Sequence, residues 1–363
     1  MWTRMKRAIK LTVLIAAETI MVMAGIMALV LLFAPGWHNT LDMRGDAYWK
    51  LFFLHQSSGL HPELQAFWQH EVHPTLGWVP KKNFRGGGPN NDSETTNNRG
   101  HRASMDYAPH PEKYTVVVLG DSFTYGSWAP DREVWPAILQ QLDDRLHVIN
   151  LAVGGYGVDQ MYLMLRDTIT EYKPRLVVFA LISDDLNRSL LSFRECRKPR
   201  FVIGNNGELI LANTPIGDLG DTRKRLKDQY GLLLARFRLE HENRLFLQRV
   251  RSGEFDREWE ALNEKIIESA FRCAGDHGSE FLLVHLGSGP EITHQTTGEY
   301  FPAQAEKFCA KVAQKFHIPY LLTRKAFLEA GENWTSGHYG APEARFVAGL
   351  VYDRIRQMPS WRE

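Results

Sequence analysis

The chain has 363 residues, 44% apolar and 23% charged, with a formal net charge of +1, which is the composition of a folded protein and excludes a disordered one. So even a balance, with no arginine stripe interleaved with aromatics, gives no electrostatic basis for nucleic-acid binding. Two local basic groups, Arg194, Arg197, Lys198 and Arg200, then Arg223, Lys224, Arg225 and Lys227, read as solvated faces, an anionic polymer or lipid head group being the alternative.

In chain order, Arg4, Lys6, Arg7 and Lys10 stand in a tail at 1–10, and the run from Leu11 to Phe33 is apolar with Glu18 its one charge. Such a run is long enough to cross a bilayer, and the basic tail marks the cytoplasmic side. The expectation is a transmembrane signal anchor at 11–34, a single pass through the inner (cytoplasmic) membrane, with the remainder periplasmic or extracellular. Residues 35–72 are aromatic-rich, with Trp37, Trp49, Phe52, Phe53, Phe67 and Trp68, and would sit at the membrane interface or pack on the following domain. Residues 73–112, dense in Gly, Asn and Pro, read as a loop or β-arm leading into it.

From 113 to 358 the pattern becomes α/β. Apolar runs at Tyr114–Leu119, His147–Leu151, Leu176–Ile182, Phe281–Leu286 and Ile318–Leu322 predict buried strands. Between and after them apolar residues recur at helical spacing, as in Trp259, Leu262, Ile266 and Ala270, and in Phe346, Val347, Leu350 and Val351. That alternation predicts a mostly parallel five-stranded sheet covered by helices on both faces. An insertion is expected at about 189–256, with a hairpin in "RFVIGNNGELILANTP" turning at "NNG". Cys196, Cys273 and Cys309 are an odd set, so at least one thiol stays unpaired; Cys273 and Cys309 could pair, buried thiols being the alternative. No metal spacing is present.

Four strand ends carry the chemistry. "VVVLGDSFTYG" brings Ser122 to the carboxyl edge of the first strand, "NLAVGGYGVDQ" is a glycine-dense turn after the second, "LISDDLNRS" follows the third, and "SGHYGAPEARFVAGL" sets a histidine just before a helix. A nucleophile, backbone N–H groups, polar side chains and a histidine at one sheet edge are the parts needed for acyl transfer.

On these motifs the chain resembles the SGNH/GDSL hydrolase family over about 73–358. "GDSFTYG" matches its nucleophile motif, Gly155 its second motif, Asp184-Asp185 the place of its Asn-Asp pair, and His338 its carboxyl-terminal histidine. The upstream "LGWVPKKN" and "NNRGHR" resemble the lead-in of its membrane-anchored, exported bacterial members. The resemblance implies a flavodoxin-like three-layer sandwich, and hydrolysis or transfer of an ester-linked acyl group without a cofactor. It makes Ser122 the nucleophile and His338 the base, with the N–H groups of Ser122 and Gly155 holding the oxyanion. It favours acetyl groups on cell-envelope or exported polysaccharide over lipid esters. The implied partners are an acylated carbohydrate, the inner membrane, and a membrane acyltransferase or polysaccharide export machinery.

Two positions depart from the family. Asp184 stands where the oxyanion Asn is usual, and Thr335 where an Asp usually precedes the histidine by three residues. Asp184 would then be a protonated oxyanion donor, or Asp184 or Asp185 would orient His338, with Asp185 the candidate triad acid. Alternatively Ser122 and His338 form a dyad held by a backbone carbonyl or Glu332, or the site is degenerate and serves carbohydrate binding or assembly.

Overall fold

Residues Trp2–Phe33 form one helix, α1, in the computed structural model. The structure describes residues 2–33, 41–56, 69–86, 94–127, 129–231, 234–292, 302–331, 334–335 and 337–362. Among the described residues no helix is long and apolar enough to cross a membrane. The apolar run of α1 also carries Glu18, a carboxyl whose placement in hydrocarbon costs about 3 kcal/mol. This overturns the expected transmembrane helix, and with it the single-pass inner-membrane topology, the periplasmic or extracellular placement and the membrane-anchored, exported type.

Helix α2, Asp46–Gln56, packs Phe53 edge-on against Phe193, centroids 5.4 Å apart. Trp37, Phe67 and Trp68 of the aromatic stretch lie outside the described residues. The lead-in is built of two antiparallel pairs, β1 (His70–His73) with β2 (Gly77–Pro80), and β3 (Arg85–Gly86) with β4 (Glu94–Thr95).

The sheet follows. β5 (Tyr114–Leu119) leads into α3 (Ser122–Tyr125) and α4 (Trp135–Leu142), β6 (Leu146–Asn150) into α5 (Val158–Tyr172), and β7 (Leu176–Leu181) into α6 (Ser183–Arg188). The insertion comes next, with hairpin β8 (Arg200–Ile203) and β9 (Leu209–Ala212), then α7 (Leu219–Tyr230) and α8 (Ala235–Arg251). After α9 (Glu254–Asp276) come β10 (Glu280–His285), α10 (Gly289–Ile292), α11 (Pro302–Phe316), β11 (Tyr320–Leu322), α12 (Thr323–Ala330) and α13 (Ala341–Ile355). The five central strands are parallel in the order β11-β10-β7-β5-β6.

Side chains alternate across a strand, and here each set finds its own layer. Val117, Leu119, Val177 and Phe179 pack with α5, α9 and α11, whereas Val116, Val118, Val178 and Val284 pack with α4 and α13. Burial on both faces accounts for the unbroken β-branched runs. β5 sends the chain to β6 on one side, and β7 lies on its other side, so the order reverses between β5 and β7. Open parallel sheets have their crevice at such a point, beyond the strands' carboxyl ends.

The first basic group is not a solvated face throughout. The Lys198 ammonium is fully buried against the Asp159 carboxylate of α5 and donates to the carbonyls of Arg188 at 3.0 Å, Pro199 at 3.1 Å and Leu191 at 3.2 Å. This pair ties the start of the insertion to the sheet-covering layer, and removing one partner alone would cost about 3–5 kcal/mol. Cys196, Cys273 and Cys309 are free thiols.

Candidate active site

Ser122 is the first residue of α3, directly beyond β5. Asp121 caps that turn from an extended backbone, its Oδ1 accepting the Phe123 N–H at 2.9 Å. Gly126 closes the turn at φ 78°, donating its N–H to the Ser122 carbonyl at 3.0 Å. A Cβ at that position would come 2.0 Å from Val134 Cγ1, so sterics and conformation both demand glycine. The motif "GDSFTYG" thus spells a single capped turn with the serine at its start.

His338 arrives from the loop before α13. Its ring stacks on Phe123, centroids 4.7 Å apart, and its Nε2 lies 2.8 Å from Ser122 Oγ, a distance across which the hydroxyl proton can pass. Glu343, in the first turn of α13, anchors this loop by accepting the N–H of Thr335 at 2.7 Å and of Gly340 at 3.0 Å. The Thr335 hydroxyl donates to the His338 carbonyl at 3.3 Å. Burial lowers the His338 pKa, with the nearby Asp121 charge opposing and Arg188 reinforcing the shift. The imidazole is therefore held in the neutral form that a base requires.

Beneath the serine lies a carboxylate pair with one cation. Asp121 Oδ2 is 3.3 Å from Ser122 Oγ and 3.0 Å from Arg188 Nη1, and the same nitrogen is 2.5 Å from Asp185 Oδ1. Asp185 is fully buried and its Oδ2 accepts the Ile182 N–H at 2.9 Å, capping α6. Burial pushes the Asp185 carboxyl up, Asp121 adds to that, and Arg188 opposes it. Asp185 therefore serves Arg188 and α6, and among the described residues no hydrogen bond joins it to His338. Asp184, next to it on α6, is exposed and does not line the cavity that holds Ser122 and His338. Among the described residues the His338 ring makes no second hydrogen bond, and Asp121 is the carboxylate whose charge acts on it. Glu332 lies outside the described residues.

The glycine-dense turn after β6 completes the site. Gly155 has φ 82°, and among the described residues neither its N–H nor that of Ser122 has a hydrogen-bond acceptor. Trp78 of β2 braces this turn: its Nε1 donates to the Gly154 carbonyl at 2.9 Å, while the Tyr156 hydroxyl donates to the Trp78 carbonyl at 2.6 Å. The resulting cavity, about 210 Å³, is lined by Ser122, His338, Gly154, Gly155, Trp78 and Arg194 among others.

Sequence reasoning missed Trp78, Asp121, Arg188 and Arg194. The tryptophan lay in plain view in "LGWVPKKN" but its long-range contact had no local signal. Arg194 was grouped with solvated basic residues, yet its side chain is only 13% exposed.

No protein-family model matches this chain, and no curated protein is similar to it. Among solved structures, the chain is similar to TesA at 17% identity and a TM-score of 0.41, over 67% of this chain and 98% of that one. It is similar to a member of the lipolytic protein G-D-S-L family from Veillonella parvula at 11% identity and a TM-score of 0.39, over 68% and 98%. The acetyl xylan esterase AlAXEase aligns at 16% identity and a TM-score of 0.39, over 66% and 99%. At such values the chemistry must be argued from the site itself. The family resemblance and the expected export implied an acylated carbohydrate, the inner membrane, and a membrane acyltransferase or export machinery as partners; with no helix among the described residues long and apolar enough to cross a membrane, that expectation falls.

Proposed function

We propose that this chain is a serine hydrolase of carboxylic esters with short acyl groups, working through a Ser122–His338 dyad. Ser122 Oγ forms a bond to the ester carbonyl carbon as its proton passes to His338 Nε2, and the carbonyl π pair moves onto oxygen. The N–H groups of Ser122 and Gly155 receive that oxyanion. On collapse the bond to the alcohol oxygen breaks, His338 returns the proton to the leaving alkoxide, and an acyl-serine remains. Water repeats the sequence, giving its proton to His338 and releasing the carboxylic acid with Ser122 restored. Asp121 steadies the transient imidazolium by its charge, without a hydrogen bond.

The single observation that carries this reading is the 2.8 Å approach of His338 Nε2 to Ser122 Oγ in a cavity shared with the Gly155 turn. A positioned base contributes about 10²–10⁴-fold, and each oxyanion donor about 10²–10³-fold. The small cavity, about 210 Å³ against roughly 300–1,000 Å³ for sites of drug-sized ligands, favours a short acyl group over a lipid chain.

Chromogenic esters of increasing acyl length test the reading. The full chain should turn over the acetyl ester fastest, and Ser122→Ala and His338→Ala should each lose about 10³-fold or more. Unchanged turnover in Ser122→Ala would discard it.

A further inference from the structure

The backbone N–H groups of Ser122 and Gly155 give the oxyanion two donors, and Asp184 does not supply a third. Asp184 is exposed, lies outside the cavity and is an acid, and a carboxylate there would repel a developing negative charge. The surroundings sharpen the problem, because Asp121, Asp184 and Asp185 crowd this sheet edge and Arg188 is already engaged by two of them.

Arg194 packs against Gly155 and lines the same cavity as Ser122 and His338. An ideal Cβ built on Gly155 would come 2.2 Å from Arg194 Nη1 and 3.1 Å from its Cζ, so the guanidinium occupies the space where a side chain would project. Trp49 of α2 supports it from one face, with Cζ 4.7 Å from the ring centroid, and Glu195 pairs with Nη1. Its Nε is buried without a hydrogen-bond partner among the described residues. A donor-rich cation in the cavity wall can donate to a negative oxygen formed there.

We propose that the Arg194 guanidinium is the third donor to the oxyanion formed at Ser122, in the place that Asp184 leaves vacant. This rests on the serine-hydrolase reading above. The guanidinium forms no covalent bond and gives up no proton; it donates hydrogen bonds and charge to the oxygen that becomes negative as Ser122 attacks. It makes Arg194 a catalytic residue recruited from the insertion.

Steady-state hydrolysis of a chromogenic acetyl ester by the full chain tests this with two variants. Arg194→Met keeps the packing on Trp49, and Arg194→Ala opens room for a free guanidinium ion. In the folded fraction, Arg194→Met should lose about 10²-fold in kcat with little change in KM. Low millimolar guanidinium should restore part of the Arg194→Ala rate and none of the Ser122→Ala rate. A kcat for Arg194→Met within about twofold of the parent, or a loss in folded Arg194→Ala that guanidinium leaves untouched, overturns the assignment. If Arg194→Ala does not fold, the kcat of Arg194→Met decides alone. A parent chain that neither hydrolyses esters nor reacts at Ser122 removes the hydrolase reading and this inference together, whereas an active parent matched by Arg194→Met removes only this inference.

Discussion

Arg188 Nη1 lies 2.5 Å from Asp185 Oδ1 in a site where the carboxylate has no exposure to solvent. The same nitrogen reaches Asp121 at 3.0 Å, so one cation balances the carboxylate beside the nucleophile and the one beneath it. Replacing Asp185 by Asn leaves Arg188 short of a buried counter-charge, and stability should fall by about 3–5 kcal/mol. In the folded fraction, the acid limb of kcat/KM against pH should keep its form, because Asp185 does not touch His338. Denaturant melts and a pH–rate series measure both. Parent-like stability with a collapse in kcat would instead make Asp185 the residue that charges the histidine.

Asp184→Asn should be nearly silent. The side chain is exposed and off the cavity, and surface changes of this kind stay within about 0.5 kcal/mol, or about twofold in rate. A steep rise or fall in turnover would return Asp184 to the oxyanion site or to His338.

The contrast between these two neighbours marks where sequence reasoning stops. The runs Tyr114–Leu119 and Leu176–Leu181 were legible as strands because β-branched residues buried on both faces leave an unbroken apolar signature, and Gly126 and Gly155 mark turns that side chains would obstruct. Asp184 and Asp185 are identical in type and adjacent, and only their placement on α6, about 100° apart around the helix, sends one to solvent and the other to Arg188. Arg194, Lys198 and Trp78 are likewise ordinary in sequence. Their roles come from contacts with Gly155, Asp159 and Gly154 that no local pattern encodes.

The acid limb of the pH–rate profile should report His338. A base must be neutral, and burial lowers this imidazole below its ordinary 6.5, so turnover should stay high through neutral pH and fall only below that value. Asp121 opposes the shift, so Asp121→Asn should move the limb to still lower pH. Movement to higher pH in that variant would show that another group controls the limb.

Stability should fall in mild acid, with His285 as one source. Burial foremost, then Arg324, pushes its pKa down to about 3, and it bonds Ser183 Oγ at 3.1 Å. The unfolded chain takes up this proton near 6.5 and the folded chain does not, so stability is lost as pH drops from about 6.5 towards 3. By pH 5 this group alone should contribute about 2 kcal/mol of loss. Urea melts at about pH 7 and about pH 5 should show a smaller difference in His285→Asn than in the parent, whatever the variant's absolute stability; an equal difference would assign the effect elsewhere.

The most direct measurement of the central claim is to treat the full chain with a serine-reactive phosphonate and locate the adduct by peptide mass spectrometry. One adduct on Ser122 is expected, absent from Ser122→Ala and slowed by about 10²–10⁴-fold in His338→Ala. No adduct at Ser122, or labelling of the His338→Ala variant at the parent rate, would contradict a nucleophile activated by this dyad.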